Sequence, residues 1–285
     1  MKLIKPKFWR TINIFSIFLF PFSILVILVI FLKKKFIIRE KFTIPIICVG
    51  NIYLGGTGKT PTSIFLAKEL VKINKNPVIL KKFYPSHKDE HEMIKENFKN
   101  LILSKKRNEG IVRAVQDGYD SVIMDDGFQD YSIKKNLSII CFNQRQLIGN
   151  GMVLPAGPLR ENLGSLNQAQ IVLINGKKDE IFENKILNIN KNLKVFYSKY
   201  ELKNSDKIKN RKLLALAGIG NPENFFHLIE ECGLEIDKKL IFADHHVFTQ
   251  SEINNIENIR KEKNYLIVTT EKDYHKLKFF KLNGL

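Results

Sequence analysis

The stretch from Ile44 to Pro61 constrains this chain more than any other. A short apolar run, Ile44–Val49, leads into Gly50-Asn-Ile-Tyr-Leu-Gly-Gly-Thr-Gly-Lys-Thr-Pro61. A helical pattern follows over Thr60–Asn74, its apolar face built from Ile64, Leu66, Ala67, Leu70, Val71 and Ile73. Strand, glycine-rich loop, Lys-Thr and helix, in that order, make a phosphate-binding loop. The glycines let backbone N–H groups converge on phosphate oxygens without Cβ obstruction, and the helix N-terminus adds partial positive charge. In this frame the cradle runs over Tyr53, Leu54, Gly55, Gly56, Thr57 and Gly58. Lys59 then reaches the β- and γ-phosphates, and the Thr60 hydroxyl ligands Mg²⁺. Pro61 suits the first helical turn, where a missing N–H costs nothing. The strict spacing has a glycine at the position Tyr53 occupies.

A strand–loop–helix unit of this kind needs parallel neighbours, and the chain supplies them. Val78–Leu80, Leu101–Leu103, Val122–Met124, Ser138–Phe142 and Ile171–Ile174 are continuous apolar runs suited to strands buried on both faces. A second block repeats the alternation. Leu213–Ala217, Leu240–Ala243 and Tyr265–Thr269 read as strands, and Pro222–Cys232 and Glu252–Glu262 as helices. Thr249 and Glu252 are spaced as a capping box, and the last residues look helical. The fold class is therefore α/β: a P-loop NTPase-type parallel-sheet lobe plus a second, smaller α/β lobe. The polar stretch Lys203–Lys212 separates them. This gives an N-terminal segment over 1–40, a P-loop lobe over 41–202, and linker plus second lobe over 203–285.

Composition removes several other classes. With 44% hydrophobic and 26% charged residues, the 285-residue chain is neither disordered nor repetitive. Three scattered cysteines make no disulfide framework, and no Cys-x-x-Cys pair supports a zinc site. The net charge of +17 is compatible with nucleic acid, anionic lipid or a phosphorylated substrate. Its distribution is more telling, because residues 1–41 hold nine Lys or Arg and one acid.

Those charges bracket an uncharged stretch of 22 residues, Thr11–Leu32. At ~1.5 Å rise per residue it can cross a hydrocarbon core of ~30 Å. No small-x-small cleavage site follows it, and Lys33-Lys34-Lys35 does, so a membrane anchor fits better than a cleaved leader. Pro21 lies in the middle of it. Trp9 just before it suits an interfacial position.

Ser121-Val-Ile-Met-Asp-Asp-Gly-Phe-Gln-Asp130 places Asp125 and Asp126 at the C-terminal end of a strand, the edge where open parallel sheets bind ligands. An acid there holds Mg²⁺ directly or through water. Asp89 and Glu90 lie in a polar stretch that alone would be a solvated loop. In Asp244-His245-His246 an imidazole beside a carboxylate makes a candidate proton-transfer pair. Thr270-Glu-Lys-Asp273 also ends a strand.

Taken in order, these motifs resemble the tetraacyldisaccharide 4′-kinase family. The matching stretches are the apolar helix, Gly55–Pro61, Asp125-Asp-Gly-Phe-Gln129, and Gly149-Asn-Gly-Met-Val-Leu-Pro-Ala-Gly-Pro-Leu-Arg-Glu161. They continue with Ala217-Gly-Ile-Gly-Asn-Pro-Glu-Asn-Phe-Phe226, Asp244-His245 and Thr270–Asp273. The resemblance implies an enzyme at the bacterial inner membrane, its lobes facing the cytoplasm. Such an enzyme moves the γ-phosphoryl of ATP, with Mg²⁺, to the 4′-hydroxyl of a lipid-linked glucosamine disaccharide 1-phosphate. No nucleic acid and no obligate protein partner are implied.

Carried over residue by residue, Lys59 and Thr60 hold phosphate and metal. Asp125, Asp126, Gln129 and Glu161 match metal-side positions. Asp89 matches the catalytic base and His245 the histidine paired with it. The chain departs from the family at Lys81-Lys-Phe-Tyr84, usually Arg-Gly-Tyr-Gly, and at Lys88-Asp-Glu-His91, usually Gly-Asp-Glu-Pro. It departs again at Asp130, commonly His. Relatives continue beyond Thr270–Asp273, so the second lobe reads as shortened. The rival class is a membrane-associated P-loop ATPase acting as a partner switch. Its members carry a lysine where this chain has Leu54.

Overall fold

The computed structural model describes residues 6–202, 208–280 and 282, so residues 203–207 of the expected linker lie outside the described residues. The described chain forms two compact units. One takes residues 6–84 and 97–199, and the other residues 85–96 and those from 200 onward.

The larger unit begins with α1 (Ile14–Phe36). A capping box sets its first turn: the Asn13 side chain accepts from the Ser16 N–H (3.1 Å), and Ser16 Oγ accepts from the Asn13 N–H (2.8 Å). Pro21 sits inside the helix without ending it. The helix is long and apolar enough to cross a membrane. Phe15, Phe18, Leu25, Leu28 and Phe31 are at least half exposed along it. Another face docks through polar contacts. Ser23 Oγ donates to the Val153 carbonyl (2.8 Å) and accepts from the Ala156 N–H (3.1 Å). Trp9, expected at an interface, is instead buried, with its indole N–H donating to the Pro155 carbonyl (3.1 Å). The loop that receives it is fixed by Asn150. Its backbone N–H donates to the Trp9 carbonyl (2.8 Å), and its side-chain amide donates to the Phe8 carbonyl (3.1 Å).

Beyond α1 come β1 (Ile46–Gly50), α2 (Lys59–Lys72) and β2 (Pro77–Lys82). Next is α3 (Lys88–Asn97), all but the last residue of which belongs to the smaller unit. The chain returns with β3 (Leu101–Ser104), α4 (Arg107–Gln116), β4 (Ser121–Asp125) and β5 (Leu137–Asn143). β6 (Ile171–Asn175), α5 (Glu180–Leu187) and β7 (Lys194–Ser198) complete the unit.

The strands form a sheet in the order β3-β2-β4-β1-β5-β6-β7, every pair parallel. From β1 the chain steps to one side for three strands and then to the other for three. The order therefore reverses at β1, and the carboxyl ends of β1 and β4 flank the crevice such a reversal opens. Cys48, Val78, Leu80, Val122, Met124, Ile140 and Phe142 are fully buried around it, as the apolar runs require. β7 carries only partial burial because it is the sheet edge, so its sequence lacks an apolar run.

The smaller unit continues with β8 (Leu213–Ala217), α6 (Pro222–Glu231), β9 (Ile236–Ile241), α7 (Gln250–Lys263), β10 (Leu266–Thr269) and α8 (Glu271–Leu277). Its sheet order is β10-β8-β9. The Thr249–Glu252 capping box forms as the spacing predicts. β9 begins four residues before the predicted Leu240. As an edge strand it exposes Lys238 and Lys239, and that hides it from an apolar-run criterion.

Candidate functional site

In the larger unit, β1 hands the chain to the glycine-rich loop at Gly50. A Cβ added there would lie 2.5 Å from Phe128 Cβ, so only glycine lets β1 pass the acidic turn. Gly50→Ala is expected to cost roughly 1–3 kcal/mol through overpacking against buried Phe128, read as a lower Tm. Gly55 (φ +113°) and Gly58 (φ +90°) take left-handed backbone conformations, and Gly58 is the residue before α2.

One residue absent from the predicted site organises the cradle. Asn51 is fully buried, and its side-chain amide donates to the Tyr53 carbonyl (2.6 Å), the Gly55 carbonyl (3.2 Å) and Thr57 Oγ1 (3.0 Å). Its presence in the loop gives no local signal, because a buried amide and a solvated loop amide look alike in sequence.

The predicted acids converge on this loop. Asp125 ends β4 and is fully buried. Its Oδ2 accepts from Thr60 Oγ1 (2.9 Å) and from Lys81 Nζ (2.5 Å), and its Oδ1 from Ser63 Oγ (3.3 Å). The departure at Lys81 thus has a structural account. β2 and β4 pair in parallel with Lys81 opposite Asp125, so this lysine is the buried counter-charge to the strand-end acid.

Asp126 follows in a left-handed conformation (φ +55°), with Arg160 at 3.0 Å and Lys59 Nζ at 3.7 Å. Burial pushes its carboxyl up, but Lys59, Arg160 and Lys81 outweigh that and hold its pKa at about 2. Gln129 bridges the constellation. Its amide donates to Glu161 Oε1 (3.0 Å) and to the Asn51 carbonyl (2.9 Å), and its oxygen accepts from Arg160 (3.3 Å). Glu161, nearly fully buried, pairs with Lys34 of α1 at 2.5 Å. Asp130, the other departure, accepts from Arg107 (3.3 Å) and from Ser132 Oγ (2.6 Å). Arg107 in turn donates to the Asp126 carbonyl (2.7 Å), which braces the turn.

The structure therefore gathers Lys59, Thr60, Asp125, Asp126, Gln129 and Glu161 at one end of one sheet. The donor set is oxygen-rich and anionic, the chemistry that suits a hard dication such as Mg²⁺, and each carboxylate is balanced by a cation. Asn51 Oδ1 is a buried acceptor with no hydrogen-bond partner among the described residues.

The remaining predicted pair lies in the smaller unit. Asp89 is in the first turn of α3, where the helix dipole favours a carboxylate. The expected polar loop is helical because Met93 and Ile94 bury a short apolar face. Asp89 is itself buried, and His245 Nδ1 lies 3.1 and 3.2 Å from its two oxygens. Burial raises the Asp89 pKa, but the His245 hydrogen bond and the charges of Lys272 and Lys276 leave it below its ordinary value. His245 is held in a left-handed backbone conformation (φ +56°), sterically costly for a side chain with a Cβ. Its ring stacks on that of His87, with centroids 4.2 Å apart. The neighbouring His246 is structural: it faces Glu252 at 3.0 Å, the same carboxylate that caps α7. Asp273 is structural too, fully buried and accepting from the Gly218 N–H (2.8 Å).

Known proteins resemble this chain over nearly its whole length. The family model for tetraacyldisaccharide-1-P 4′-kinase (LpxK) matches residues 15–284. A tetraacyldisaccharide 4′-kinase of Pelagibacter ubique is 39% identical over all of this chain and 92% of its own length. One of Rickettsia bellii is 33% identical over 97% of this chain and 90% of its own length. Among solved structures, the "apo" form of LpxK from Aquifex aeolicus, in complex with ATP, superposes with a TM-score of 0.67. It covers 94% of this chain and 91% of its own at 24% identity, a likeness of fold.

Proposed function

Since the chain belongs to the tetraacyldisaccharide 4′-kinase family, we propose that it transfers the γ-phosphoryl group of ATP to the 4′-hydroxyl of a lipid-linked glucosamine disaccharide 1-phosphate, a step of lipid A synthesis. The observation that carries the reading is the joining of Lys59 and Thr60 to the acids of the strand-end turn, with Thr60 bonded to Asp125 and Lys59 beside Asp126.

Phosphoryl transfer is governed by positioning and by neutralising charge on the equatorial oxygens. The loop N–H groups and Lys59 bind and orient the ATP phosphates. Thr60, Asp125, Asp126, Gln129 and Glu161 would hold Mg²⁺, which, when bound, neutralises phosphate charge. Arg160 keeps Asp126 ionised and placed. On the acceptor side, Asp89 takes the hydroxyl proton as the new P–O bond forms and the β–γ bridge breaks, releasing ADP. His245 orients Asp89 and stabilises its charge.

The finer setting is the inner membrane, with the lobes on the cytoplasmic side where ATP is available. The exposed apolar face of α1 and the run Lys33–Lys35 support a lipid surface as the site of action.

The direct test is incubation of the purified full chain in detergent with Mg-ATP and the disaccharide 1-phosphate. Product gaining the mass of one phosphate is expected. ATP hydrolysis without phosphorylated lipid would overturn the reading and favour a partner-switch ATPase.

A further inference from the structure

A cavity of about 310 Å³ lies in the larger unit beside the basic end of α1, within the ~300–1,000 Å³ range of small-molecule sites. Its floor is apolar: Phe128 and Ile133 are each 2% exposed, next to the Tyr131 ring. Its walls carry three cations, Arg39, Lys134 and Lys135, and, among the described residues, no carboxylate. None of the three has an ion-pair partner among the described residues. The cations of the phosphate site differ in this respect, since Lys34, Lys59, Lys81, Arg107 and Arg160 each face an acid. Glu40, the acid next to Arg39, is bonded to the Asn108 side-chain amide instead. Lys135 Nζ donates to the Phe128 carbonyl (2.6 Å), which leaves an ammonium with protons still to give. Burial pulls its pKa down by more than Asp130 and Glu161 restore, as for a cation short of counter-charge. Gln170 adds a neutral donor. Its Oε1 accepts from the Ser138 N–H (2.8 Å), and no acceptor among the described residues takes its NH₂.

Three unpaired cations over an apolar floor call for an anion with an apolar body, and the place of the cavity says which. Lys34, in the last turn of α1, lies 4.9 Å over the Tyr131 ring, and Lys135 lies 5.9 Å from the same ring. Arg39 follows the end of α1 at Phe36 by three residues. With α1 in a bilayer, its Lys33–Lys35 end marks the headgroup level, where phosphate esters and negative surface potential are found. We propose that this cavity holds the phosphate of an anionic membrane phospholipid, with Arg39, Lys134 and Lys135 as its counter-charges and the Phe128–Ile133 floor beneath its ester end. The inference takes from the proposed function only the reading of α1 as a membrane helix. Phe128 belongs to the same turn as Asp126 and Gln129, so a lipid seated here braces the acidic turn as well as the foot of α1.

The test uses the full chain in neutral detergent micelles, titrated by calorimetry with dihexanoyl phosphatidylglycerol. Saturable binding is expected, with dihexanoyl phosphatidylcholine, glycerol 3-phosphate and inorganic phosphate each at least ~10-fold weaker. Arg39→Gln/Lys134→Gln, both side chains being exposed, should weaken lipid binding about 10-fold with Tm unchanged. Lys177→Gln/Lys191→Gln removes the same charge from exposed positions elsewhere on the unit, and should leave binding within about 2-fold of wild type, because distant exposed charges are screened. Equal loss in the two double variants would mean diffuse attraction and overturn the proposal. So would inorganic phosphate or glycerol 3-phosphate binding as tightly as the lipid, which would make this a site for free phosphate. Displacement of the lipid by the disaccharide 1-phosphate would also overturn it, by assigning the cavity to the acceptor's own phosphate. These titrations read binding alone, so failure of the kinase reading would show separately, in the transfer assay.

Discussion

Exchanging Lys59 for alanine should lower kcat/KM for phosphoryl transfer by about 10³-fold, the largest single effect in the molecule. The reason lies in what Lys59 touches and what would replace it. Its ammonium is mostly buried and 3.7 Å from Asp126, at the head of the glycine loop. The other cations beside these acids are held more tightly. Lys81 sits on Asp125 at 2.5 Å, Arg160 on Asp126 at 3.0 Å and Lys34 on Glu161 at 2.5 Å. Removing Lys59 leaves the strand-end acids and the ATP phosphates with one positive charge fewer in a water-poor crevice, where that charge counts for most.

Stability should change little, because Asp126 keeps Arg160 and partial contact with solvent. Lys59→Arg is not a conservative rescue, since a planar fork does not reproduce a compact point charge. Steady-state kinetics with ATP and the disaccharide acceptor, alongside a thermal melt, separate the two effects. A variant of normal Tm and normal turnover would remove Lys59 from the mechanism.

The contrast between Lys59 and Lys81 shows what a single sequence makes legible. Lys59 announces itself because the loop signal is local: strand, glycines, Lys-Thr and helix fall within a short run. The buried strands of the larger sheet are legible for the same reason, as short apolar runs. Lys81 is opaque. Its partner Asp125 lies 44 positions later, and the two meet only because β2 and β4 pair in one particular register. Asp130 with Arg107, and Glu161 with Lys34, are hidden in the same way. Edge strands are hidden for a different reason: β7 and β9 need no continuous apolar run, so their lysines mask them. The helical setting of Asp89 is masked by charge. Ser86-His-Lys-Asp-Glu-His91 reads as a solvated loop until the Met93 and Ile94 that follow it are seen to be buried. Family resemblance could name Asp89 and His245 as partners. The contact of Lys272 with both needed coordinates.

Asp89→Asn is expected to lower kcat by about 10²- to 10³-fold with the ATP KM nearly unchanged, because asparagine keeps the shape and the hydrogen-bonding oxygen but cannot take a proton. The carboxylate is a weak base, and its surroundings make it weaker still. Burial works against the anion, but His245, Lys272 and Lys276 together bring the pKa below the ordinary 3.8. Such a group suits this chemistry. In a loose phosphoryl-transfer transition state the hydroxyl remains protonated until late, so the base must be ionised and aimed rather than strong.

The direction of the shift fixes the pH behaviour. With the folded pKa depressed, Asp89 stays anionic to lower pH than an ordinary carboxylate, and any loss of kcat through its protonation should begin at correspondingly lower pH. Its contribution to stability has the same sign. It is fully present above the unfolded value and is lost as pH falls through the lower folded one. Asp89→Asn should therefore flatten that part of the acid unfolding curve as well as lower kcat. A loss confined to ATP KM, with kcat intact, would place Asp89 in nucleotide binding instead of proton transfer.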